Sequence, residues 1–383
     1  MKKQEYGGYL PLEGRTGPDH FSALGEDNVF RTNSAKAAIY FALKQLSVRK
    51  LYLPYYMCLS VNTMADSFRI PVERYYLDNR LMPVLSFPEE GRTEDCILLV
   101  NYFGVLSDDT MEMLVNRALL RFKTVIVDNS HAFFAKPLIK EGVYNVYSCR
   151  KFFGVPDGGY LIAGGLSAWK EEADRSGEWE PDLVSRHFSY LTGSMEYGMN
   201  ALYGEKQESD RYFKGHYRGM SVLTRQILSG VDYTYIRSRR SDNFSYLHSL
   251  LSEKNLISMT LPEEKRPGAG LKTRRQEINS PSEPLSGETA AENGARAREQ
   301  EGGQMPLSLQ QGQPCTGSGC FPGSGEKKIS VTLNEGFPSA YLYPFYAEKN
   351  IKSRLIEQKI YVPTLWRELI CGRFLGTREY DMS

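Results

Sequence analysis

Between residues 33 and 165 the chain alternates between helix-patterned stretches and short apolar runs, and that alternation leaves few folds open. NSAKAAIYFALKQL (33–46) puts Ala38, Phe41, Ala42 and Leu46 on one helical stripe, with Ser34 as a candidate N-cap. KLYLPYY (50–56) reads as a strand, MCLSVNTMADSF (57–68) as a helix and IPVERYYL (70–77) as a second strand. DCILLVNYFG (95–104) is a buried strand with a turn at Gly104, and TMEMLVNRALLRF (110–122) is an amphipathic helix. KTVIVDNSH (123–131), NVYSC (145–149) and YLIAGG (160–165) add three more strands. Short apolar strands separated by helices predict an α/β fold, a large and mainly parallel doubly wound sheet with helices on both faces. Ligands of such sheets bind beyond the carboxyl ends of the strands. Residues 101–104, 128–131 and 148–151 therefore share one rim, where the chemistry is to be sought.

Further along, residues 219–250 read as two helices broken near Gly230, the second long and basic on one face. SAYLYPFYAE (339–348) is strand-like, IKSRLIEQK (351–359) a helix and IYVPTLW (360–366) a strand, which makes a small α/β unit. The expected organisation is a large domain over 1–225 with an N-terminal arm, and a small C-terminal domain over 226–383. Residues 262–328 interrupt the second. That segment is nearly free of large apolar side chains and cannot bury enough area to offset its ordering entropy, so it reads as a disordered insertion; a functional lid is the alternative.

The 383 residues carry a formal net charge of +1, which argues against a nucleic-acid binder with a global electrostatic footprint. No apolar run reaches the roughly 18 residues a membrane span needs. The start, MKKQEYGGYLPLEG, is basic with no apolar stretch after it, so no secretory signal is expected. Six cysteines without a CxxC spacing fit a reducing, cytoplasmic location. The five histidines show no metal-ligand spacing such as HExxH.

Three features meet on the rim. Lys151, in SCRKFFGVPDGG, follows a buried strand; at the edge of a core its amine is desolvated and becomes a nucleophile, whereas on a surface it would only snorkel. Six positions on, Asp157 can cap the tight turn that Gly158 and Gly159 permit. Asp128, in VIVDNSH, ends an apolar strand and could bind a metal, orient a histidine, pair with a protonated ring nitrogen or cap a helix; His131 follows three positions later, as a ligand contact or a packing residue. The small residues at 33–37 open a helix whose N-terminus favours an anion. A lysine, an upstream aspartate and a phosphate-accepting helix start are the parts of a pyridoxal 5'-phosphate site, where the aspartate keeps the ring nitrogen protonated.

With these residues in place, the chain resembles the DegT/DnrJ/StrS family of pyridoxal-phosphate-dependent sugar aminotransferases, of the aspartate aminotransferase fold. The likeness runs over about 20–260 and 338–380. It rests on KFFGVPDGG, VIVDNSHA, RTNSAKAAIYFAL, LYLPYYMCLSV and SAYLYPFYAEK…LIEQKIYVPTLW. The resemblance implies that Lys151 bonds the cofactor and carries the proton in catalysis. Asp128 would sustain the pyridinium and His131 would hydrogen-bond the ring hydroxyl. Ser34, Ala35 and Ser148 would hold the phosphate. An aromatic often stacks on the ring at the position of Cys58, which leaves Cys58, Tyr56 and Tyr55 as candidates for covering it. An asparagine that reaches the partner subunit's phosphate is replaced by HYRGMS, where Tyr217 or Arg218 would substitute, and family chains continue beyond the segment matching FLGTREYDMS into a last helix.

The resemblance further implies a homodimer, an amino-acid donor such as glutamate, and a keto acceptor on a nucleotide-linked sugar, as in polysaccharide biosynthesis. Nucleic acid, membrane and metal are not expected as partners. Two rivals are another reaction on the same cofactor, such as sugar dehydration, and a cofactor-binding regulatory or remnant protein without turnover. Relatives that dehydrate tend to replace the lysine by histidine, and Lys151 is present.

Overall fold

A computed structural model describes residues 17–58, 60–78, 80–84, 93–167, 181–198, 202–212, 217–260, 329–333 and 338–345, with Gly14, Trp169, Gly215 and Leu355. The chain divides into two compact units, 1–266 with 325–383, and 267–324; all the described residues belong to the first. The insertion at 262–328, the strand at 360–366 and, apart from Leu355, the helix at 351–359 lie outside the described residues, as does His216 of HYRGMS.

Six apolar runs become strands where the sequence places them, and the structure adds two that the sequence does not mark, Val29–Thr32 and Pro83–Val84. The strands are β1 (Val29–Thr32), β2 (Leu51–Pro54), β3 (Val72–Leu77), β4 (Pro83–Val84), β5 (Thr93–Val100), β6 (Phe122–Asp128), β7 (Val143–Ser148) and β8 (Gly159–Ile162). They form one sheet in the order β1-β8-β7-β6-β5-β2-β3-β4. The middle five, from β7 to β3, are parallel, and β5 and β6 at their centre bury near-continuous apolar runs. β8 runs antiparallel to both β7 and β1, and β4 antiparallel to β3. The 149–158 connection between β7 and β8 is shorter than the dozen or so residues a parallel crossover needs, so the chain has to turn back.

Both faces of the sheet are covered. Phe30, Val146 and Leu161 join one core cluster, which includes Phe41 of helix α1 (Ala35–Gln45). Their strand neighbours Val29, Tyr147 and Tyr160 join another, which includes Leu228 of a later helix. Period-two alternation thus feeds two apolar layers at once. Helix α2 (Ser60–Ser67) follows β2, and α3 (Asp108–Leu119) lies between β5 and β6 and starts at the cap Ser107, whose Oγ accepts from Thr110 N at 3.0 Å. Beyond the sheet come α4 (Pro181–Tyr197), α5 (Tyr203–Tyr212), α6 (Val222–Ser229) and α7 (Tyr233–Leu251). The break at Gly230 falls between α6 and α7, as the sequence indicates.

Helices α4 and α5 are likewise not marked by the sequence, and two further segments differ from its reading. Residues 256–260, read as no element, supply β9 (Ile257–Thr260), which pairs in parallel with β10 (Ile329–Thr332). Residues 338–345, expected as part of a strand, contain none: Pro344 removes one ladder donor, and Tyr341 N–H is drawn to the loop carbonyls of Phe103 and His131 at 3.1 and 3.3 Å. Among the described residues no helix is long and apolar enough to cross a membrane.

Candidate functional site

The sheet order defines where a pocket opens. From β2 the chain passes outward to β3, then crosses back to place β5 on the opposite side of β2. The carboxyl ends of β2 and β5 therefore diverge, which is the switch point where doubly wound sheets bind ligands. Tyr102 O–H donates to Tyr56 O at 2.7 Å across this point, and the Tyr56 and Tyr102 rings stack at 5.6 Å. The backbone strains beside it, with Phe103 at φ 59° in the left-handed region.

Strand register lines up the next residues. Val100 lies opposite Asp128, and Asp128 opposite Val146, so the residues after β5, β6 and β7 come out on one edge. Asp128 Oδ1 accepts from Ser130 N at 2.9 Å and helps to turn the chain toward His131. His131 is buried, with its ring stacked between Phe103 at 6.3 Å and Tyr341 at 5.2 Å. Burial and the nearby Lys151 charge push its pKa well below the ordinary histidine value, so the ring is neutral at physiological pH.

Lys151 enters the same edge from the turn after β7. Its Nζ stands 5.2 Å from the centroid of the Tyr341 ring. Desolvation lowers its pKa from 10.5 to about 8, against the opposing pull of Asp128 and of Cys58. Asp128, His131, Cys58 and Lys151 thus share one electrostatic environment. Cys58 is exposed, with Sγ 3.1 Å from Ser60 Oγ.

The neighbouring Arg150 is engaged elsewhere. Its guanidinium bonds Asp210 of α5 and reaches His187 of α4 at 3.1 Å. Lys206 of α5 binds the other Asp210 oxygen at 2.7 Å.

The third sequence feature, the helix start, is brought in by a glycine. Ser148 and Gly159 are opposed in the β7–β8 register. A Cβ on Gly159 would lie 2.4 Å from Ser34 C and 2.5 Å from Ala35 N, so only glycine lets the sheet touch the α1 N-terminus. Ser34, Ala35 and Ser148 are thereby gathered around one residue without a side chain. Ser34 caps α1 as expected, its Oγ accepting from Ala37 N at 3.1 Å.

One expectation needs restating. Asp157 does not cap its own turn. That backbone is already satisfied, with Gly158 N–H on Asn33 O at 2.8 Å and Cys149 N–H on Gly158 O at 3.1 Å. The buried Asp157 carboxylate accepts instead from Ser221 N at 2.9 Å, from Ser221 Oγ at 2.7 Å and from Thr224 Oγ1. The backbone of Arg218 lies beside the α1 start: Asn33 N–H donates to Arg218 O at 2.8 Å, and Tyr217 stacks on Tyr40 at 4.4 Å. Among the described residues no group of three or more His, Cys, Asp and Glu side chains is placed to hold a metal ion.

Sequence reasoning missed Tyr341 and Arg240. Tyr341 sits in an apolar run that reads as a strand, and Arg240 is one of three arginines in IRSRRSDN, with no local signal to single it out.

No family model matches the chain, and no curated protein matches it. Solved structures do. AtS13 from Actinomadura melliaura matches at 18% identity over 61% of this chain and 62% of its own, with a TM-score of 0.38. The sugar aminotransferase CalS13 from Micromonospora echinospora matches at 16%, over 60% and 63%, with a TM-score of 0.37. DesV of S. venezuelae matches at 16%, over 61% and 60%, with a TM-score of 0.36. The match spans about three-fifths of each of these chains. At such scores, fold and function rest on the geometry of this chain itself.

Proposed function

We propose that this chain is a pyridoxal 5'-phosphate-dependent aminotransferase. The observation that carries the reading is Lys151, a lysine whose amine is held near a pKa of 8 on the same strand-end rim as Asp128 and a neutral His131. At pH 7 a lysine of pKa about 8 is roughly one part in ten free amine, against roughly one in three thousand for the ordinary 10.5. That difference, some three-hundredfold, is what a nucleophilic lysine needs.

The residues present fit the cofactor. The close packing that Gly159 permits brings Ser34, Ala35 and Ser148 together at the α1 start. A helix N-terminus with hydroxyl neighbours suits a phosphate dianion. Asp128 would sit by the ring nitrogen, His131 by the ring hydroxyl, and Tyr56 and Cys58 line the switch-point side. When bound, the group supplies an electron sink for charge developing on a substrate carbon.

The chain's own residues do the rest. With the group bound, the Lys151 amine would take the proton from the donor's α-carbon and return one to the acceptor. The Asp128 carboxylate would keep a proton on the cofactor's ring nitrogen through a charge-assisted hydrogen bond. Neutral His131 orients without adding a second charge beside the lysine. The donor would be glutamate or a similar amino acid, and the acceptor a keto group, on a nucleotide-linked sugar by the resemblance of the sequence. That resemblance also supports a homodimer, with Arg218 completing the phosphate site.

Borohydride reduction in the presence of pyridoxal phosphate, then peptide mapping, tests the reading. The pyridoxyl label falls on Lys151, and Lys151→Ala loses both label and all transamination of glutamate. A label on another lysine sinks it.

A further inference from the structure

Two residues far from Lys151 in sequence meet at its turn. Tyr341 is anchored from one side by its N–H, which donates to Phe103 O and His131 O. Gly104, at φ 78°, makes that approach possible: a Cβ there would stand 2.3 Å from His131 O and 3.2 Å from Ala340 Cα. Anchored so, the Tyr341 ring lies against His131 and under the Lys151 ammonium.

Arg240 of α7 holds the other side. Its Nη1 donates to Ala340 O at 3.2 Å and to Tyr341 O at 3.5 Å. Its Nη2 donates to Phe152 O at 3.3 Å and to Lys151 O at 3.5 Å, and the guanidinium lies 4.4 Å over the Phe152 ring. Each bond is long and individually weak. Together they spread one planar fork over carbonyls from two separate segments, which fixes the spacing between them.

We propose that Arg240 and Tyr341 are a positioning pair for Lys151. Arg240 clamps the 340–341 backbone to the lysine turn, and the Tyr341 ring held in this way forms the aromatic wall that confines the lysine amine and keeps water from it. The inference deepens the reading of Lys151 as the amine of the site and rests on it. It also places an aromatic face at the amine, where the turn after β2 offers the thiol of Cys58. The groups that bear on Lys151 are Asp128 from the end of β6, His131 beyond it, Cys58 after β2 and the Tyr341 ring. Lys206 of α5 acts in turn on Tyr341.

Trace labelling of the full chain with acetic anhydride across pH, without added cofactor and followed by peptide mapping, gives a rate profile for Lys151. The wild-type chain labels slowly at Lys151, with a midpoint near 8. In Tyr341→Ala the high-pH plateau rises severalfold and the midpoint moves up by about one unit as water reaches the amine. Tyr341→Phe keeps the wild-type profile, because the ring and not the hydroxyl forms the wall. Arg240→Gln reproduces the Tyr341→Ala profile, and Arg240→Lys recovers part of the wild-type one. Unchanged Lys151 profiles in Tyr341→Ala and Arg240→Gln, even with lowered melting temperatures, would overturn the proposal. Should Arg240→Gln fail to fold, the two tyrosine variants and Arg240→Lys still decide it. Because no cofactor is present, this outcome is separate from failure of the aminotransferase reading, which shows as absence of the pyridoxyl label from Lys151 of the wild-type chain.

Discussion

Helices α1 and α6 start from the same serine cap, with Ser34 Oγ accepting from Ala37 N at 3.1 Å and Ser221 Oγ accepting from Thr224 N at 3.1 Å. Both starts face the 157–159 turn. At α6 that turn contributes Asp157, whose carboxylate takes the Ser221 N–H and both nearby hydroxyls. At α1 it contributes Gly159, which presents backbone alone within reach of Ser34 and Ala35. A helix N-terminus favours an anion wherever it occurs. The chain supplies its own anion to one start and, through a glycine, keeps side chains away from the other. On the proposed reading, the second is the start that would take a phosphate from outside.

The comparison can be broken most forcefully at Asp157. Asp157→Ala leaves the buried Thr224 hydroxyl and two half-buried Ser221 donors without their acceptor and should cost about 1–3 kcal/mol by denaturant unfolding. Pyridoxal phosphate affinity of the folded fraction should be unchanged, since the proposed phosphate site lies at α1. Burial raises the Asp157 pKa above 3.8 in the folded chain, so folding takes up a proton there. Stability from this group is full below pH 3.8 and declines as pH rises through the folded pKa. The wild-type minus Asp157→Ala difference should decline over that window; a difference that grows would show the carboxylate to be favoured by folding.

Gly159→Ala comes next. Its Cβ would press on Ser34 and Ala35 backbone, which cannot swing aside, at an expected cost of about 1–3 kcal/mol. Unlike Asp157→Ala, it should abolish cofactor binding, read by equilibrium dialysis. Binding that survives would remove phosphate from the α1 start.

The smallest effect separates the caps themselves. Ser34→Ala and Ser221→Ala should each lose about 1 kcal/mol in thermal unfolding. Only Ser34→Ala should also weaken pyridoxal phosphate binding. Equal weakening in both variants would erase the distinction between the two starts.

Much of the site was legible because its parts lie at strand ends. Apolar periodicity located β5, β6 and β7, and strand polarity then carried Asn101, Asp128 and Lys151 to one edge without any long-range information. Ser34 was legible for the same kind of reason, since a cap is a contact over three residues. Asp157 was misread because its partners, Ser221 and Thr224, are more than sixty positions away, and a local rule offered it a nearer role. The strand expected at 339–348 failed over its described part because the backbone donor of Tyr341 found loop carbonyls instead of a ladder.

The sequence by itself determined the alternation of elements, the parallel core of the sheet and the rim on which Asp128, His131 and Lys151 stand, since each follows from hydrophobic period and chain direction. The tertiary structure alone decided that the adjacent cations Arg150 and Lys151 diverge, one to the carboxylate of Asp210 and the other to the ring of Tyr341. It also decided that Arg240, and not Arg237 or Arg239, meets the lysine turn. Local pattern fixes which face of an element is apolar; which distant group faces a given side chain depends on how the elements pack, and the burial that packing produces lowers the pKa of Lys151.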